Sequence, residues 1–148
     1  MEFKICKFNE LTVMEMYEIA RSRFEVFAME QKIIQEPELD GIDNECYQVF
    51  YMDNGRVIAY CRIVPAGIAY DNISLGRVLV LNDYRRKGLA QIMIKEALKF
   101  IKEELKEDTV VLSGQVYAKG LYESVGFKII SDVYDEVGIP HVKMKIEL

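Results

Sequence analysis

Apolar and polar positions along the chain follow two periods, one of two residues and one of three to four. The short segment FKICKF, 3–8, alternates with the period of a strand, and TVVLSGQV, 109–116, has the continuous apolar character of a strand buried on both faces. The segment 47–64 predicts a β-hairpin, because Asn54-Gly55 supplies the positive backbone angles of a tight turn between two runs of β-favouring residues.

Two longer segments have helical periodicity. In 11–29, apolar residues recur at spacings of three or four, which predicts one or two helices: Leu11, Met14, Tyr17, Ala20, Phe24 and Phe27. The second segment predicts one helix with a single apolar face: Leu89, Ile92, Met93, Ala97, Phe100, Ile101 and Leu105. The strand at 73–81, this helix and the strand at 109–116 together predict a parallel crossover unit with a right-handed connection.

The rest of the chain adds a loop, a short helix and a hairpin. Residues 30–45 are acidic and irregular, which predicts a loop. The segment AKGLYESVGF, 118–127, predicts a short helix that ends at Gly126 in a left-handed conformation, and two antiparallel strands are expected around DEVGIP, 135–140. The predicted fold class is mixed α/β in a single domain over 1–148.

Charge and cysteine content narrow the classes of function. The formal net charge is -5 and the sequence pI is about 5.0, which argues against a general nucleic-acid binder. The three cysteines, Cys6, Cys46 and Cys61, are odd in number and widely spaced, so we expect reduced thiols and a cytoplasmic location. No segment has the uninterrupted apolar length of a signal peptide or a membrane span, so no membrane association is expected.

Arg85, Arg86 and Lys87 form a basic triplet directly before Gly88 and the second predicted helix. The first N–H groups of a helix lack intrahelical partners, its dipole favours an anion there, and Gly88 lacks a Cβ that would obstruct close approach. A phosphate or pyrophosphate is the expected occupant, and a solvated basic turn is the alternative from charge alone. Neither G-x-x-x-x-G-K-S/T nor G-x-G-x-x-G occurs in the chain, which argues against a nucleotide triphosphatase.

The turn resembles the acetyl-coenzyme A (acetyl-CoA) signature of the GNAT acyltransferase superfamily, Gln/Arg-x-x-Gly-x-Gly/Ala, which here is Arg85-Arg86-Lys87-Gly88-Leu89-Ala90. Downstream, LYESVGF, 121–127, resembles the tyrosine-bearing helix of the same superfamily, and Gln115 stands where many members carry an asparagine. Four further segments resemble the ElaA-like branch: RFEVFAMEQ (23–31), DGID (40–43), GRV (76–78) and VYDEVGIPH (133–141). The resemblance covers most of the chain and implies the GNAT fold, a central mixed sheet flanked by helices.

The resemblance implies transfer of an acetyl group from acetyl-CoA to a small-molecule or peptide amine, which attacks the thioester directly. Tyr122 is then the acid that protonates the leaving thiolate. A backbone N–H among Val78, Leu79 and Val80 stabilises the oxyanion. The signature residues hold the pyrophosphate, and Gln115 is a candidate for contact with the pantetheine arm.

The attacking amine must also lose a proton, and a carboxylate, His141 or a water chain are the candidate bases. Glu30 is the carboxylate of one fingerprint, and His141 is the only histidine. Each candidate has a structural alternative: Glu30 as a helix-end cap, His141 as packing at a strand start, and Tyr122 as a core residue with its hydroxyl in water. Arg77 should pair with a carboxylate or line the cleft, and the acidic loop either attracts a cationic amine or is simply solvated.

Other classes of function have less support in the sequence. One histidine and three dispersed cysteines offer no metal-binding spacing, and the G-x-S-x-G elbow of a serine hydrolase is absent. The competing class is a non-catalytic acyl-CoA-binding sensor or scaffold, against which Tyr122 argues, and an anion-binding interaction domain without a CoA site is a third. An exposed edge strand near the C-terminus could pair two subunits into a homodimer.

Overall fold

Eight strands form one mixed sheet in the computed structural model, which describes residues 1–148. The strands are β1 (Glu2–Lys7), β2 (Tyr47–Asp53), β3 (Arg56–Val64), β4 (Ile73–Val80), β5 (Thr109–Gln115), β6 (Lys128–Ile129), β7 (Tyr134–Glu136) and β8 (Ile139–Glu147). The α-helices are α1 (Val13–Arg23), α2 (Leu89–Glu103) and α3 (Lys119–Ser124), and α1 continues into a π-helical segment, Phe24–Glu30. Short 3-10 turns occupy Phe8–Glu10, Asp43–Glu45, Asn82–Tyr84 and Val116–Ala118.

The order of the strands is β1-β2-β3-β4-β5-β8-β6, and β7 also pairs with β8. All neighbours are antiparallel except β4 and β5. Their parallel ladder has only two pairs, Ile73 with Val110 and Ser74 with Val111. The two strands have no pairs beyond these, so the sheet opens between β4 and β5 toward their carboxyl ends. Ligands of sheets with parallel strands gather at this kind of edge.

The hairpin β2–β3 and the crossover β4–α2–β5 confirm the two clearest predictions of local structure. Asn54 and Gly55 have φ angles of 51° and 76°, the positive angles that a two-residue hairpin turn requires. Thr12 caps α1, because its hydroxyl accepts the N–H of Glu15 at 3.0 Å and the Glu15 carboxylate accepts the N–H of Thr12 at 2.8 Å. The mixed α/β class is confirmed by this sheet and its three α-helices.

Two hydrophobic cores lie on opposite faces of the sheet. Alternate residues of β3 divide between them, with Ala59 and Cys61 in the core under α2 and Ile58 and Tyr60 in the core under α1. This two-sided burial explains why the central strands are apolar almost without interruption.

The buried face of α2 differs slightly from the predicted one. Met93 and Ala97 are fully buried as expected, but Ile94 and Leu98 are buried too, whereas Ile92 is 50% exposed. Residues three and four apart align along a helix, so these four buried positions form one stripe and Ile92 lies beside it.

The C-terminal region has one strand more than predicted. β7 and β8 form the expected hairpin, and Gly126 follows α3 with a positive φ of 110°. Between α3 and β7, β6 pairs with β8 through only two residues, which is too short for its alternation to be recognised. β8 is paired on both sides, so β6 and β7 form the edge of the sheet near the C-terminus.

Candidate active site

The opening between β4 and β5 leads into a cavity of about 260 Å³, which we call the β4–β5 cavity. Residues of both strands line it, among them Leu75 and Val78 from β4 and Leu112 and Ser113 from β5. Further walls come from the end of the π-helical segment, from α3 and from the β7–β8 hairpin. Segments that are far apart in the chain therefore meet around one space.

A β-bulge in β4 shapes one wall of the β4–β5 cavity. The register between β3 and β4 shifts between Tyr60 and Arg62, and Arg77 in the bulge has a positive φ of 53°. Positive φ is uncommon for residues other than glycine, and bulges often lie next to active sites. The bulge brings Gly76 and Arg77 into the cavity lining.

The three residues predicted to supply an oxyanion donor follow this bulge. β4 has no strand partner on its β5 side after Ser74, and backbone N–H groups of a strand point alternately to its two edges. Some N–H groups of the segment from Val78 to Val80 therefore face the opening without a strand partner. Val78 lines the β4–β5 cavity and Leu79 packs in the α1 core. Their role in catalysis stays a prediction.

Tyr122 lies at the base of the β4–β5 cavity. Its residue exposure is 7%, its ring packs edge-on against Phe127 at 6.1 Å between ring centres, and its side chain lines the cavity. A Cβ on Gly114 would lie 3.2 Å from the Tyr122 ring, so the absence of a side chain there leaves room for the ring. The hydroxyl has no hydrogen-bond partner in the protein, and burial raises the pKa of Tyr122 above its usual value.

The basic turn at the start of α2 leaves three backbone donors free. Gly88 caps the helix with a left-handed φ of 75°, and the N–H of Ile92 donates to the Gly88 carbonyl at 3.1 Å. The N–H groups of Leu89, Ala90 and Gln91 therefore have no partner within the helix. These residues and Gly88 line a second pocket of about 290 Å³, which also receives Val80 of β4 and Leu121 of α3.

The three cations of the turn have different surroundings. Arg86 and Lys87 are exposed, form no salt bridge, and leave their charges at the turn, with Lys87 Nζ 5.7 Å from the centre of the Tyr84 ring. Arg85 is held instead by Glu30 at the end of the π-helical segment. Its Nη1 and Nη2 atoms donate to the two Glu30 oxygens at 2.5 and 2.8 Å, and its Nε donates to the Val80 carbonyl at 2.8 Å.

This bidentate pair bears on the predicted role of Glu30 as a base. The hydrogen bonds from Arg85 lower the pKa of Glu30, which makes its carboxylate a weaker base. Glu30 is not among the residues that line the β4–β5 cavity. The geometry therefore favours a positioning role for Glu30, as a brace between the π-helical segment and the basic turn.

Gln115 belongs to a bridge of polar side chains at the mouth of the β4–β5 cavity. Its Nε2 donates to Gln31 Oε1 at 3.0 Å, and Gln31 Nε2 donates to the Tyr117 hydroxyl at 3.3 Å. All three residues line the cavity. Gln31 directly follows Glu30. The end of the π-helical segment is therefore connected to the basic turn through Glu30 and to the end of β5 through Gln31.

His141 lies on the opposite wall of the β4–β5 cavity, at the start of β8. It is 4% exposed, and its Nδ1 is 2.7 Å from the Ile139 carbonyl oxygen. Its Nε2 is 3.5 Å from Glu136 Oε2, and Ser113 donates its hydroxyl to the other Glu136 oxygen at 3.2 Å. His141 is thus packed and also lines the cavity, and its role in catalysis stays a prediction.

An ion network, buried at Arg23, Arg62 and Asp43, contributes to one wall of the cavity. Its members are Arg23, Arg62, Arg77, Glu38, Asp40 and Asp43. Arg23, with a fully buried side chain, donates to Glu38 and Asp43 at 2.7 Å each. Arg62 donates to Asp43 at 2.8 Å and to Asp40 at 2.5 and 2.9 Å, and Arg77 donates to Glu38 at 2.9 Å. The predicted ion pair of Arg77 is confirmed, and Arg77 also lines the cavity.

The network corrects the interpretation of the acidic loop. Three of its carboxylates, on Glu38, Asp40 and Asp43, form ion pairs with arginines of α1, β3 and β4. They are therefore neither unpaired charges that could attract a cation nor simply solvated. Arginine and carboxylate are buried together because an unpaired charge in the interior would be costly. Any attraction of a cation must therefore come from other residues of the cavity.

The chain matches the model of one known protein family. A family model described as an acetyltransferase (GNAT) domain matches residues 15–148. The chain belongs to the GNAT superfamily. It is 43% identical to a UPF0039 protein of Schizosaccharomyces pombe, in an alignment that covers 100% of this chain and 98% of that protein.

Solved structures place this GNAT chain in the ElaA-like branch. Escherichia coli ElaA matches with a TM-score of 0.90 at 27% identity, and an acyl-CoA N-acyltransferase from Pseudomonas aeruginosa matches with 0.89 at 28%. Each match covers 99% of both chains. The family and the fold that the sequence resemblance implied are confirmed.

Three residues of this candidate site were missed from the sequence. Gln31 and Glu136 lie inside the fingerprint segments, which is the signal that could have marked them, and Gly114 lies one residue before Gln115. No three residues among His, Cys, Asp and Glu are grouped so as to hold a metal ion. None of the helices combines the length and the apolar character needed to cross a bilayer.

Proposed function

We propose that this GNAT protein transfers an acetyl group from acetyl-CoA to the amine of a small molecule or peptide. The observation that carries the proposal is that the pocket at the basic turn and the β4–β5 cavity are lined by neighbouring residues of β4 and of α3. Val80 and Leu121 line the pocket at the basic turn, whereas Val78 and Tyr122, two residues and one residue away, line the β4–β5 cavity. A long ligand anchored at the turn can therefore reach Tyr122.

The basic turn is the proposed pyrophosphate site. The free N–H groups of Leu89 and Ala90, the exposed cations Arg86 and Lys87 and the open space at Gly88 favour a polyanion there. Arg85, first in the signature, would brace the turn through Glu30 rather than contact the phosphates. The amide of Gln115 would meet the pantetheine arm after exchanging its hydrogen bond with Gln31.

Tyr122 is the proposed general acid. Burial raises the pKa of its phenol, which makes it a weaker acid than in water. The same apolar surroundings disfavour the anionic form of the coenzyme sulfur, so a thiolate leaving there is also a stronger base than in water. A proton can then pass from Tyr122 to the sulfur, as general acid catalysis requires.

His141 is the proposed base, because it lines the cavity whereas Glu30 does not. The amine R–NH₃⁺ gives one proton to His141 and attacks the thioester carbonyl carbon, which forms the C–N bond. The C–S bond then breaks, the sulfur takes the Tyr122 proton, and the nitrogen returns its second proton to Tyr122. The products are the acetamide, CoA thiol and one proton that leaves from His141.

Two variants test this proposal through release of CoA thiol and through binding. Tyr122→Phe keeps the ring in the core but removes the hydroxyl, so kcat should fall by about a hundredfold or more while the Kd of acetyl-CoA stays nearly unchanged. Tyr17→Phe, at an exposed position of α1, is the matched control and should be silent. Full kcat in Tyr122→Phe would show that another group protonates the sulfur.

Gly88→Val tests the pyrophosphate site. Gly55→Val is its control for backbone strain, since Gly55 has a φ of 76° and equally open surroundings in the β2–β3 turn. Both variants should lose stability, but only Gly88→Val should weaken acetyl-CoA binding. Tight binding of acetyl-CoA without turnover of any amine would instead support the sensor.

The first acceptors to assay are polyamines, aminoglycosides, amino acids and peptide N-termini. Spermine belongs in the panel because a spermidine N-acetyltransferase of Vibrio cholerae, solved with CoA and spermine, shares the fold at a TM-score of 0.73 and 16% identity. We keep the cytoplasm as the proposed location, since all three cysteines are free and buried and fit a reducing compartment.

A further inference from the structure

The β7–β8 hairpin places a carboxylate and an imidazole side by side on one wall of the β4–β5 cavity. Glu136 is the last residue of β7 and His141 lies near the start of β8, with Nε2 and Oε2 3.5 Å apart. The Ser113 hydroxyl holds the second oxygen of Glu136 at 3.2 Å, and the Tyr134 ring stacks on the imidazole with 6.2 Å between centres. The pair is thus fixed from β5 as well as from its own hairpin.

The hydrogen bond at Nδ1 determines which nitrogen of His141 can accept a proton. A carbonyl oxygen only accepts, so the 2.7 Å contact with Ile139 requires the proton of the neutral ring to lie on Nδ1. The lone pair is then on Nε2, next to the Glu136 carboxylate. A proton arriving at Nε2 creates an imidazolium that this carboxylate stabilises.

The turn that joins the two strands is strained in a way that fits a functional element. Its two residues are Val137 and Gly138, with φ angles of 48° and 79°. A β-branched residue at positive φ is a backbone outlier, and such outliers concentrate where a precise placement of side chains is required. Val137 itself lines the β4–β5 cavity.

The charges of the cavity wall favour a cation. The lining contains three carboxylates, Glu36, Glu38 and Glu136, against the two cations Arg62 and Arg77. Both of these arginines are paired within the ion network, whereas Glu36 and Glu136 have no arginine or lysine partner. Outside the lining, Lys143 of β8 lies with Nζ 4.6 Å from the centre of the Tyr70 ring, a cavity residue.

We propose that Glu136 is the recognition residue for a protonated primary amine, and that it delivers this amine to His141 Nε2. The substrate class is therefore an alkylamine that is cationic at neutral pH. Glu136 binds the ammonium group and then stabilises the proton on the imidazole, so it selects cationic over neutral acceptors. This inference rests on the proposed function and assigns its acceptor site.

Glu136→Gln tests recognition without altering size. Its control is Asp132→Asn, which removes one exposed carboxylate that has no partner in the loop before β7. With the best alkylamine of the acceptor panel, Glu136→Gln should raise KM about tenfold, and it should raise the calorimetric Kd of the same amine in the presence of CoA. The Kd of acetyl-CoA should not change. An amine Kd and KM equal to those of Asp132→Asn overturn the assignment.

His141→Asn tests proton removal by comparing two acceptors. An alkylamine with a pKa of about 10.4 is neutral in only about one molecule in a thousand at pH 7.4, whereas a hydrazide is neutral without a base. His141→Asn should lower kcat about a hundredfold for the alkylamine and less than about fivefold for the matching hydrazide. Equal losses for both acceptors overturn the base role and leave His141 as a packing residue.

Failure of the inference and failure of the proposed function give different results. A wild-type protein that acetylates none of the amines refutes the proposed function. The calorimetric comparison of wild type with Glu136→Gln, made in that case with spermine, still decides the acceptor site, since it requires no turnover. Normal acetylation by both variants would keep the proposed function and refute the inference.

Discussion

Asp43→Asn should be among the most destabilising conservative substitutions in this protein. One Asp43 oxygen, Oδ1, accepts from Arg23 at 2.7 Å and from Arg62 at 2.8 Å. The side chains of these arginines are 0% and 5% exposed, and that of Asp43 is 10% exposed. The substitution keeps the shape but removes the charge that both guanidinium groups share.

The magnitude follows from the charge balance of the ion network. Its three arginines and three carboxylates are neutral together, and Asp43→Asn leaves one positive charge uncompensated in the interior. Breaking a buried pair by removing one partner costs about 3–5 kcal/mol, because the remaining charge cannot return to water. Neutral Asn is cheaper to bury than Asp, and Arg23 and Arg62 keep one carboxylate each, so we expect about 3 kcal/mol.

Urea unfolding measures this loss directly. In thermal unfolding, the same loss of stability should lower the melting temperature by about 6–12 °C, since a chain of this length loses about 2–4 °C per kcal/mol. Glu45→Gln is the matched control, because Glu45 lies in the same loop, is exposed and forms no ion pair, and its loss should stay within about 0.5 kcal/mol. A loss of less than about 1 kcal/mol in Asp43→Asn would refute the reasoning, since the remaining carboxylates would then suffice.

Three further predictions concern pH, packing and thiol chemistry. Arg62 lowers the pKa of Asp40 to about 2, below its unfolded value of about 3.9, so the stability that Asp40 contributes is present above pH 4 and is lost as the pH falls toward about 2. In urea unfolding, the difference in stability between wild type and Asp40→Asn should therefore shrink on acidification. A difference that stays constant with pH would contradict this linkage. Gly114→Ala places a methyl group 3.2 Å from the Tyr122 ring, so kcat should fall with little change in acetyl-CoA affinity, and an unchanged kcat would show that the ring adjusts freely. Burial raises the pKa of Cys61 to about 12, so a thiol reagent should label it only after unfolding, and fast labelling of the native protein would contradict its burial.

The fold could be predicted largely from local patterns, whereas the ion pairs between charged residues of different fingerprint segments could not. The Asn54-Gly55 turn and the apolar stripe of α2 are local signals. The ion network joins residues far apart in the chain, such as Arg23 with Glu38 at a separation of 15 residues and Arg77 with Glu38 at 39. No periodicity encodes such pairs, so the sequence placed Arg23 only in a fingerprint segment, Glu38 only in an acidic loop and Arg77 only in a strand that must pair its charge.

Those parts of the candidate site that lie in a motif with its own chemistry could be proposed from the sequence, whereas parts that depend on the folded geometry could not. The anion site at the start of α2 could be predicted from the basic triplet, Gly88 and the apolar period of the helix, because a helix N-terminus favours anions by its geometry. Glu136 could not be selected, because its pairing with His141 depends on a two-residue turn with Val137 at a φ of 48°. A β-branched residue is a poor sequence signal for that conformation.

The π-helical segment explains why the first cation of the signature need not bind phosphate. Arg23 at its start is fixed by the ion network, and at its end Glu30 and Gln31 contact Arg85 and Gln115. A π-helical turn holds more residues than an α-helical turn and therefore changes the direction in which the following side chains point. Since Glu30 neutralises Arg85, the positive potential of the turn comes from its other two cations and from the start of α2, while the Glu30–Arg85 pair holds the turn at a fixed position relative to the cavity.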